Sequence, residues 1–169
     1  FVKKNLVLLG MMGVGKTTLA KIVAKKQSLE FIDIDKNIEK KNSMKISEIF
    51  SNKGEAFFRL EEEKEVLKSL NKSECIIALG GGAFINEAIR EKVLKKSISI
   101  WLDVNIKTIA HRIKWSQKRP LIKRYNNEKT LKELYDKRKK FYKLADHKIN
   151  CDKLSKESLS KKIVEIYER

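Results

Sequence analysis

Apolar residues along this chain fall into two rhythms that alternate from one end to the other. Short runs that are almost wholly apolar, or that alternate in period two, read as strands. They occur at Leu6–Leu9, Glu30–Asp35, Cys75–Leu79, Ser97–Val104 and His147–Cys151. Between them, apolar positions return every three or four residues, the spacing of one buried helix face. Leu19, Ile22 and Val23 mark the first such helix; Leu159, Ile163 and Ile166 mark the last, over Lys156–Tyr167. Residues 36–53 read as two short helices with Ile38, Met44, Ile46, Ile49 and Phe50 inward. Ser43 and Ser47 are their candidate caps, and Gly54 ends them. A helix from Glu55 to about Leu70 carries Phe57, Leu60, Glu61, Lys64 and Leu67 at helical spacing. Further helices are expected over 86–95, from about Ile106, and from Glu128 to about Leu144.

Strand and helix alternating five times predict an α/β fold, a five-stranded parallel sheet between two layers of helices. Right-handed crossovers then bring the carboxyl ends of all the strands, with their loops, to one edge. No repeat, low-complexity linker or composition break divides residues 1–169, so they read as one domain.

Composition adds bounds rather than chemistry. No apolar run approaches the length of a membrane span, and no leader pattern precedes the first strand, so a soluble cytoplasmic protein is expected. Cys75 and Cys151 are far apart, lack metal-ligand spacing and read as reduced, buried thiols. His111 and His147 show no partner pattern. The net charge of +17 invites a nucleic-acid partner. Yet only seven of the 39 basic residues are arginine, and the lysines scatter over helix surfaces, as at Lys25-Lys26, Lys95-Lys96 and Lys161-Lys162. A solvated lysine-rich face that favours anionic substrates accounts for them without nucleic acid.

Chemistry concentrates just after the first strand. Gly10 to Thr17 spell G-x-x-x-x-G-K-T between a strand and a helix, the context that makes this motif a phosphate-binding loop. Gly13 and Gly15 let the backbone turn so that several N–H groups face one anion. The N–H groups of Gly13, Val14, Gly15, Lys16, Thr17 and Thr18 lie at a helix start, where the dipole favours negative charge. Lys16 can reach the β- and γ-phosphates, and the Thr17 hydroxyl can ligate Mg²⁺. The loop therefore asks for a nucleoside triphosphate with magnesium and leaves the phosphoryl acceptor unnamed.

Other candidates are ambiguous one at a time. Asp33 and Asp35, at i and i+2, land on the same edge as the loop; they suit hydrated Mg²⁺ and an acceptor hydroxyl, or are solvated turn acids. Gly80, Gly81 and Gly82 follow a buried strand; they let backbone approach a ligand, or form a flexible loop. Arg59 beside Phe57 and Phe58 is, alone, a snorkelling residue. Residues 114–126 are cationic with little apolar periodicity, and read as a loop able to close over phosphates or as an exposed linker.

Taken together, these segments resemble shikimate kinases along essentially the whole chain. The resemblance lies in G-M-M-G-V-G-K-T-T (Gly10–Thr18), D-I-D (Asp33–Asp35), G-E-A-F-F-R-L-E-E (Gly54–Glu62), G-G-G-A (Gly80–Ala83), R-P-L (Arg119–Leu121) and K-R-K-K-F-Y (Lys137–Tyr142). It implies a P-loop fold like that of nucleoside monophosphate kinases, with a substrate-binding segment at about 33–62 and a lid at about 112–125. It implies transfer of the γ-phosphoryl of ATP to the 3-hydroxyl of shikimate, a step towards chorismate and the aromatic amino acids, by a monomer needing Mg²⁺. By the same resemblance Asp35 contacts the acceptor hydroxyl and Asp33 holds Mg²⁺ through water. Arg59 and Arg138 clamp the shikimate carboxylate, and the backbone of Gly80, Gly81 and Gly82 lies against the substrate. Arg119 reaches the transferring phosphate, and Arg112 packs near adenine. The chain departs from the family in lacking a proline after Arg138 and in lacking the usual adenine-loop pattern over Cys151–Lys156. The alternatives are a related small-molecule kinase, such as one for gluconate, and a nucleotide-regulated nucleic-acid-binding protein.

Overall fold

The computed structural model describes residues 2–114 and 127–169; residues 115–126, with Trp115, Arg119 and most of the expected lid, lie outside the described residues. Five parallel strands, β1 (Asn5–Leu9), β2 (Glu30–Asp33), β3 (Cys75–Ala78), β4 (Ser97–Asp103) and β5 (His147–Asn150), form one sheet in the order β2-β3-β1-β4-β5. The helices are α1 (Lys16–Gln27), α2 (Ile34–Asn42), α3 (Ile46–Lys53), α4 (Glu55–Ser69), α5 (Glu87–Lys96), α6 (Ile106–Lys114), α7 (Glu128–Tyr142) and α8 (Lys156–Tyr167). A short 3-10 turn at Ala83–Ile85 was not foreseen from the sequence.

β1 is central because its two faces are both covered. Every residue from Asn5 to Leu9 is buried, as expected of a parallel strand sandwiched between helices. Its register pairs Leu6 with Ile76 on one side and Leu9 with Trp101 on the other. The chain leaves β1 for β2, returns to β3, and only then crosses to β4. The crevice between β3 and β4, at the carboxyl end of β1, is thus the topological switch point where such sheets bind ligands. Asn5, a buried polar residue at the start of β1, is satisfied by hydrogen bonds. The Asn5 amide donates to the Lys72 carbonyl at 2.8 Å, and its oxygen accepts from the Cys75 N–H at 3.2 Å, locking the start of β1 to the turn before β3. Both cysteines are buried free thiols, as the sequence implied.

Three local expectations are corrected. The second strand stops at Asp33 rather than Asp35. The Asp33 carboxylate accepts from the Lys36 N–H at 3.0 Å and so caps a helix that begins at Ile34, which puts Asp35 in the first helical turn. Ser43 does cap, closing the end of α2 in the left-handed conformation, but Ser47 does not; Lys45 is the N-cap of α3, and Glu48 reaches back 2.7 Å to its N–H. The buried face of α4 is Phe58, Glu62, Val66 and Ser69, with Glu61, rather than the stripe through Phe57, Leu60 and Lys64; Leu60 is 59% exposed.

At Gly10 the sheet meets the phosphate loop, and the fit there is tight. Gly10 has φ +142°, and a β-carbon on it would sit 2.5 Å from the Leu102 carbonyl oxygen of β4. Backbone cannot swing away as a side chain can. Gly10→Ala should therefore destabilise the fold by about 2–4 kcal/mol, from strain at positive φ plus overlap. A urea midpoint within error of the unsubstituted protein would show that β4 does not crowd Gly10 this closely.

Candidate active site

The phosphate loop springs from β1 and ends in α1, whose first residue is Lys16. Gly15 precedes the helix at φ +99° and offers no side-chain cap of its own. Lys16 is only 5% exposed, and its ammonium donates to the carbonyls of Gly10 at 2.6 Å and Met11 at 2.9 Å. It thus arches across the loop that it serves. Val14 is buried, and Thr17 is half-buried in the first helical turn. From α6, Arg112 reaches over and donates to the Gly13 carbonyl at 3.1 Å, which brings the predicted adenine-side residue to the loop.

The second wall is the glycine triplet after β3. A β-carbon at Gly80 would lie 2.9 Å from Oε2 of Glu62. One at Gly81 would lie 2.7 Å from Nη1 of Arg138, and one at Gly82 would lie 2.7 Å from Nη2 of Arg59. Each glycine thus makes room for one charged side chain. The same β-carbon at Gly81 would be 3.4 Å from the Met12 nitrogen and 3.5 Å from the Gly10 oxygen, so the triplet lies directly against the phosphate loop. Arg59, Arg138 and Gly80–Gly82 are thereby gathered beside the nucleotide loop.

Charges on this wall interact. Arg59 of α4 donates to Glu62 at 2.8 Å, approaches Glu55 at 3.5 Å, and lies over the Phe58 ring at 5.4 Å. The Glu62 side chain is 2% exposed. Burial raises its pKa above the ordinary 4.5; Arg59 opposes the rise, the nearby Asp35 carboxylate adds to it, and Arg138 opposes it weakly. Asp35 is half-buried in the first turn of α2 and close enough to act on Glu62. Arg138 of α7 is only 5% exposed, and among the described residues its Nε and Nη1 have no hydrogen-bond partner. A buried guanidinium with unused donors is costly unless an anion completes it. Its neighbour one turn on, Tyr142, donates to the Gly81 carbonyl at 2.5 Å.

Two of these participants, Glu62 and Tyr142, had no assigned role in the sequence reading. Glu62 follows Arg59 by three residues and Tyr142 follows Arg138 by four, the spacings at which helical side chains meet. That periodicity was the available signal. Among the described residues no cluster of three or more His, Cys, Asp or Glu could hold a metal ion, and His111 and His147 are both exposed.

Comparison with known proteins gives the family. The family model described as shikimate kinase matches residues 12–168. A shikimate kinase of Thermodesulfovibrio yellowstonii is 40% identical over 166 residues, covering 98% of this chain and 96% of that protein. The chain belongs to the shikimate kinase family. A second shikimate kinase, from Sulfurihydrogenibium sp., is 39% identical over 161 residues, covering 95% of this chain and 96% of its own. The solved shikimate kinase of Acinetobacter baumannii, in complex with shikimate, superimposes with a TM-score of 0.92 at 30% identity, covering 97% of this chain and 92% of that one. A gluconokinase from Sinorhizobium meliloti reaches a TM-score of 0.61 at 11% identity, with 99% of this chain and 93% of that one covered, which is a likeness of fold alone. The activity is accordingly that of shikimate kinase, ATP-dependent phosphorylation of the 3-hydroxyl of shikimate to give 3-phosphoshikimate and ADP. Among the described residues no helix is long and apolar enough to cross a membrane.

The raised pKa of Glu62 has a consequence for this shikimate kinase that needs no substrate. The folded state binds the Glu62 proton more tightly than the unfolded chain does. That stabilisation is complete below the ordinary 4.5 and is lost as pH rises through the higher folded value. Glu62→Gln cannot titrate, so its stability relative to the unsubstituted protein should rise between about pH 4.5 and about pH 7.5. Urea midpoints at the two pH values check this; parallel profiles would mean that Glu62 is not held in a desolvated site.

Proposed function

We propose that the wall formed by Arg59, Arg138 and Gly80–Gly82 is the shikimate site, and that the phosphate loop presents ATP to it in line. The observation that carries the reading is the buried Arg138 guanidinium, with two donors unpartnered among the described residues, set against the triplet and the loop. A small hydroxy-acid meets that need with its carboxylate, and a planar fork matches carboxylate in two parallel hydrogen bonds. Arg59, held by Glu62, supplies the second fork. Asp35, near Glu62, is the group that takes and orients the acceptor hydroxyl. The substrate-binding segment then runs over about 33–62, and the backbone of Gly80, Gly81 and Gly82 lies against the ring hydroxyls.

On the nucleotide side, the N–H groups from Gly13 to Thr18 cradle the phosphates, and Lys16 moves from loop carbonyls to phosphate oxygens of similar geometry. Arg112 flanks the base. The roles of Arg119 at the transferring phosphate and of a lid over about 112–125 rest on the Arg119-Pro120-Leu121 resemblance. The donor set suits Mg²⁺, which takes few protein ligands and keeps several waters. Thr17 offers a hydroxyl in the first turn of α1, and Asp33, with one carboxylate oxygen engaged by Lys36, retains another for a metal-bound water. When bound, the ion neutralises charge on the phosphates. We read the enzyme as a cytoplasmic monomer with no nucleic-acid partner, since its substrates are small anions and its lysines are dispersed.

Two substitutions separate the assigned roles. Arg138→Ala should raise the KM for shikimate by about 100-fold while leaving the KM for ATP within about twofold, because a buried carboxylate loses its charged partner. Asp35→Asn should lower kcat by roughly 100-fold with a much smaller change in shikimate KM. A coupled ADP-release assay at varied shikimate and ATP measures both. An unchanged shikimate KM in Arg138→Ala would remove the carboxylate assignment.

A further inference from the structure

Tyr142 closes α7 and is only 1% exposed, yet its hydroxyl ends at the triplet rather than in the core. It donates to the Gly81 carbonyl at 2.5 Å, and its oxygen lies 3.8 Å from the Met11 sulfur of the phosphate loop. Its ring rests 5.8 Å from Trp101, whose strand β4 pairs with β1 just before the loop. One residue therefore touches the acceptor wall, the nucleotide loop and the sheet beneath them. A peptide between two glycines is the kind of backbone that rotates most freely, because neither neighbour carries a β-carbon. The Gly81–Gly82 peptide is trans, so fixing the Gly81 carbonyl towards the buried Tyr142 turns the Gly82 N–H the opposite way. Gly82 is the residue that Arg59 leans on.

We propose that Tyr142 is a positioning residue for the acceptor site: its hydroxyl fixes the orientation of the Gly81–Gly82 peptide so that the Gly82 N–H faces shikimate. This rests on the acceptor-site assignment above. The hydroxyl suits the task because it remains a donor across the working range; burial pushes the Tyr142 phenol up to about 12, with Arg138 opposing. The ring supplies packing, and the oxygen supplies orientation. The two contributions separate in Tyr142→Phe, which keeps the first and deletes the second.

Steady-state kinetics on the full chain test the proposal. Tyr142→Phe should raise the KM for shikimate about tenfold, with the KM for ATP and kcat within about twofold of the unsubstituted enzyme. An unchanged shikimate KM overturns the proposal, as does a fall in kcat with both KM values shifted alike and a lowered Tm, the pattern of a structural role. Arg138→Ala measured alongside keeps the two readings apart. If it raises shikimate KM and Tyr142→Phe does not, only the role of Tyr142 fails; if neither does, the acceptor site itself is misassigned. Should Tyr142→Phe fail to fold, the unsubstituted protein decides by nuclear magnetic resonance. The Gly82 amide must shift on adding shikimate without nucleotide, and a stationary resonance overturns the proposal.

Discussion

Three consecutive residues without β-carbons are the condition on which the wall beside the phosphate loop depends. Glu62, Arg138 and Arg59 each occupy the volume that a side chain on Gly80, Gly81 or Gly82 would fill. An alanine at any of the three would push a charged group away from the loop by an ångström or so, and a clamp for a planar carboxylate tolerates little such displacement. Side-chain ends can move where backbone cannot, so such a change bears on the direction of the guanidinium forks more than on the fold. Gly10 is the opposite case. There the obstructing atom is a backbone carbonyl of β4, and the constraint belongs to the sheet.

The two walls meet because of strand order. β3 and β4 flank β1, so the loop after β1 and the triplet after β3 emerge side by side at one edge. α7 then crosses this junction with two residues one turn apart. Arg138 brings charge to Gly81, and Tyr142 brings a hydrogen bond to the same residue. The triplet and the phosphate loop are thus joined through packed backbone, with Met11 and Gly81 sharing a neighbour in Tyr142.

Much of this was legible in the sequence because the signals were periodic or motif-like. Five strands at their positions, the parallel order of elements, the phosphate loop and the last helix all followed from apolar rhythm and a glycine-lysine pattern. The failures were local and physical. Asp33-Ile34-Asp35 alternates like a strand, but a carboxylate three residues before a free N–H is also a helix cap, and the cap prevailed. On α4, apolar Phe57 and Leu60 suggested one inward face, whereas the helix turns Glu62 inward because a charged partner and a glycine wall await it. Hydropathy cannot announce a buried carboxylate; only tertiary contact explains one. The arginines were visible as rarities in a lysine-rich chain, but their grouping beside Gly81 and Gly82 required the fold.

Charge works at two ranges in this molecule, and the two should not be conflated. Exposed lysines give the chain an excess of positive charge, a long-range effect that favours anions in general and is screened beyond about 8 Å at physiological salt. Arg138 and Lys16 act at contact from nearly dry surroundings, where screening is weak and a misplaced partner is expensive. Lysine serves the first purpose, being a compact hydrated cation with no preferred approach. At contact, Lys16 acts as a point charge among the loop carbonyls, whereas the planar fork of Arg138 has the shape that suits a carboxylate. The high net charge therefore identifies neither substrate, because dispersed ammonium groups match nothing in particular, whereas the few guanidinium groups held against backbone have the planar geometry that suits a carboxylate.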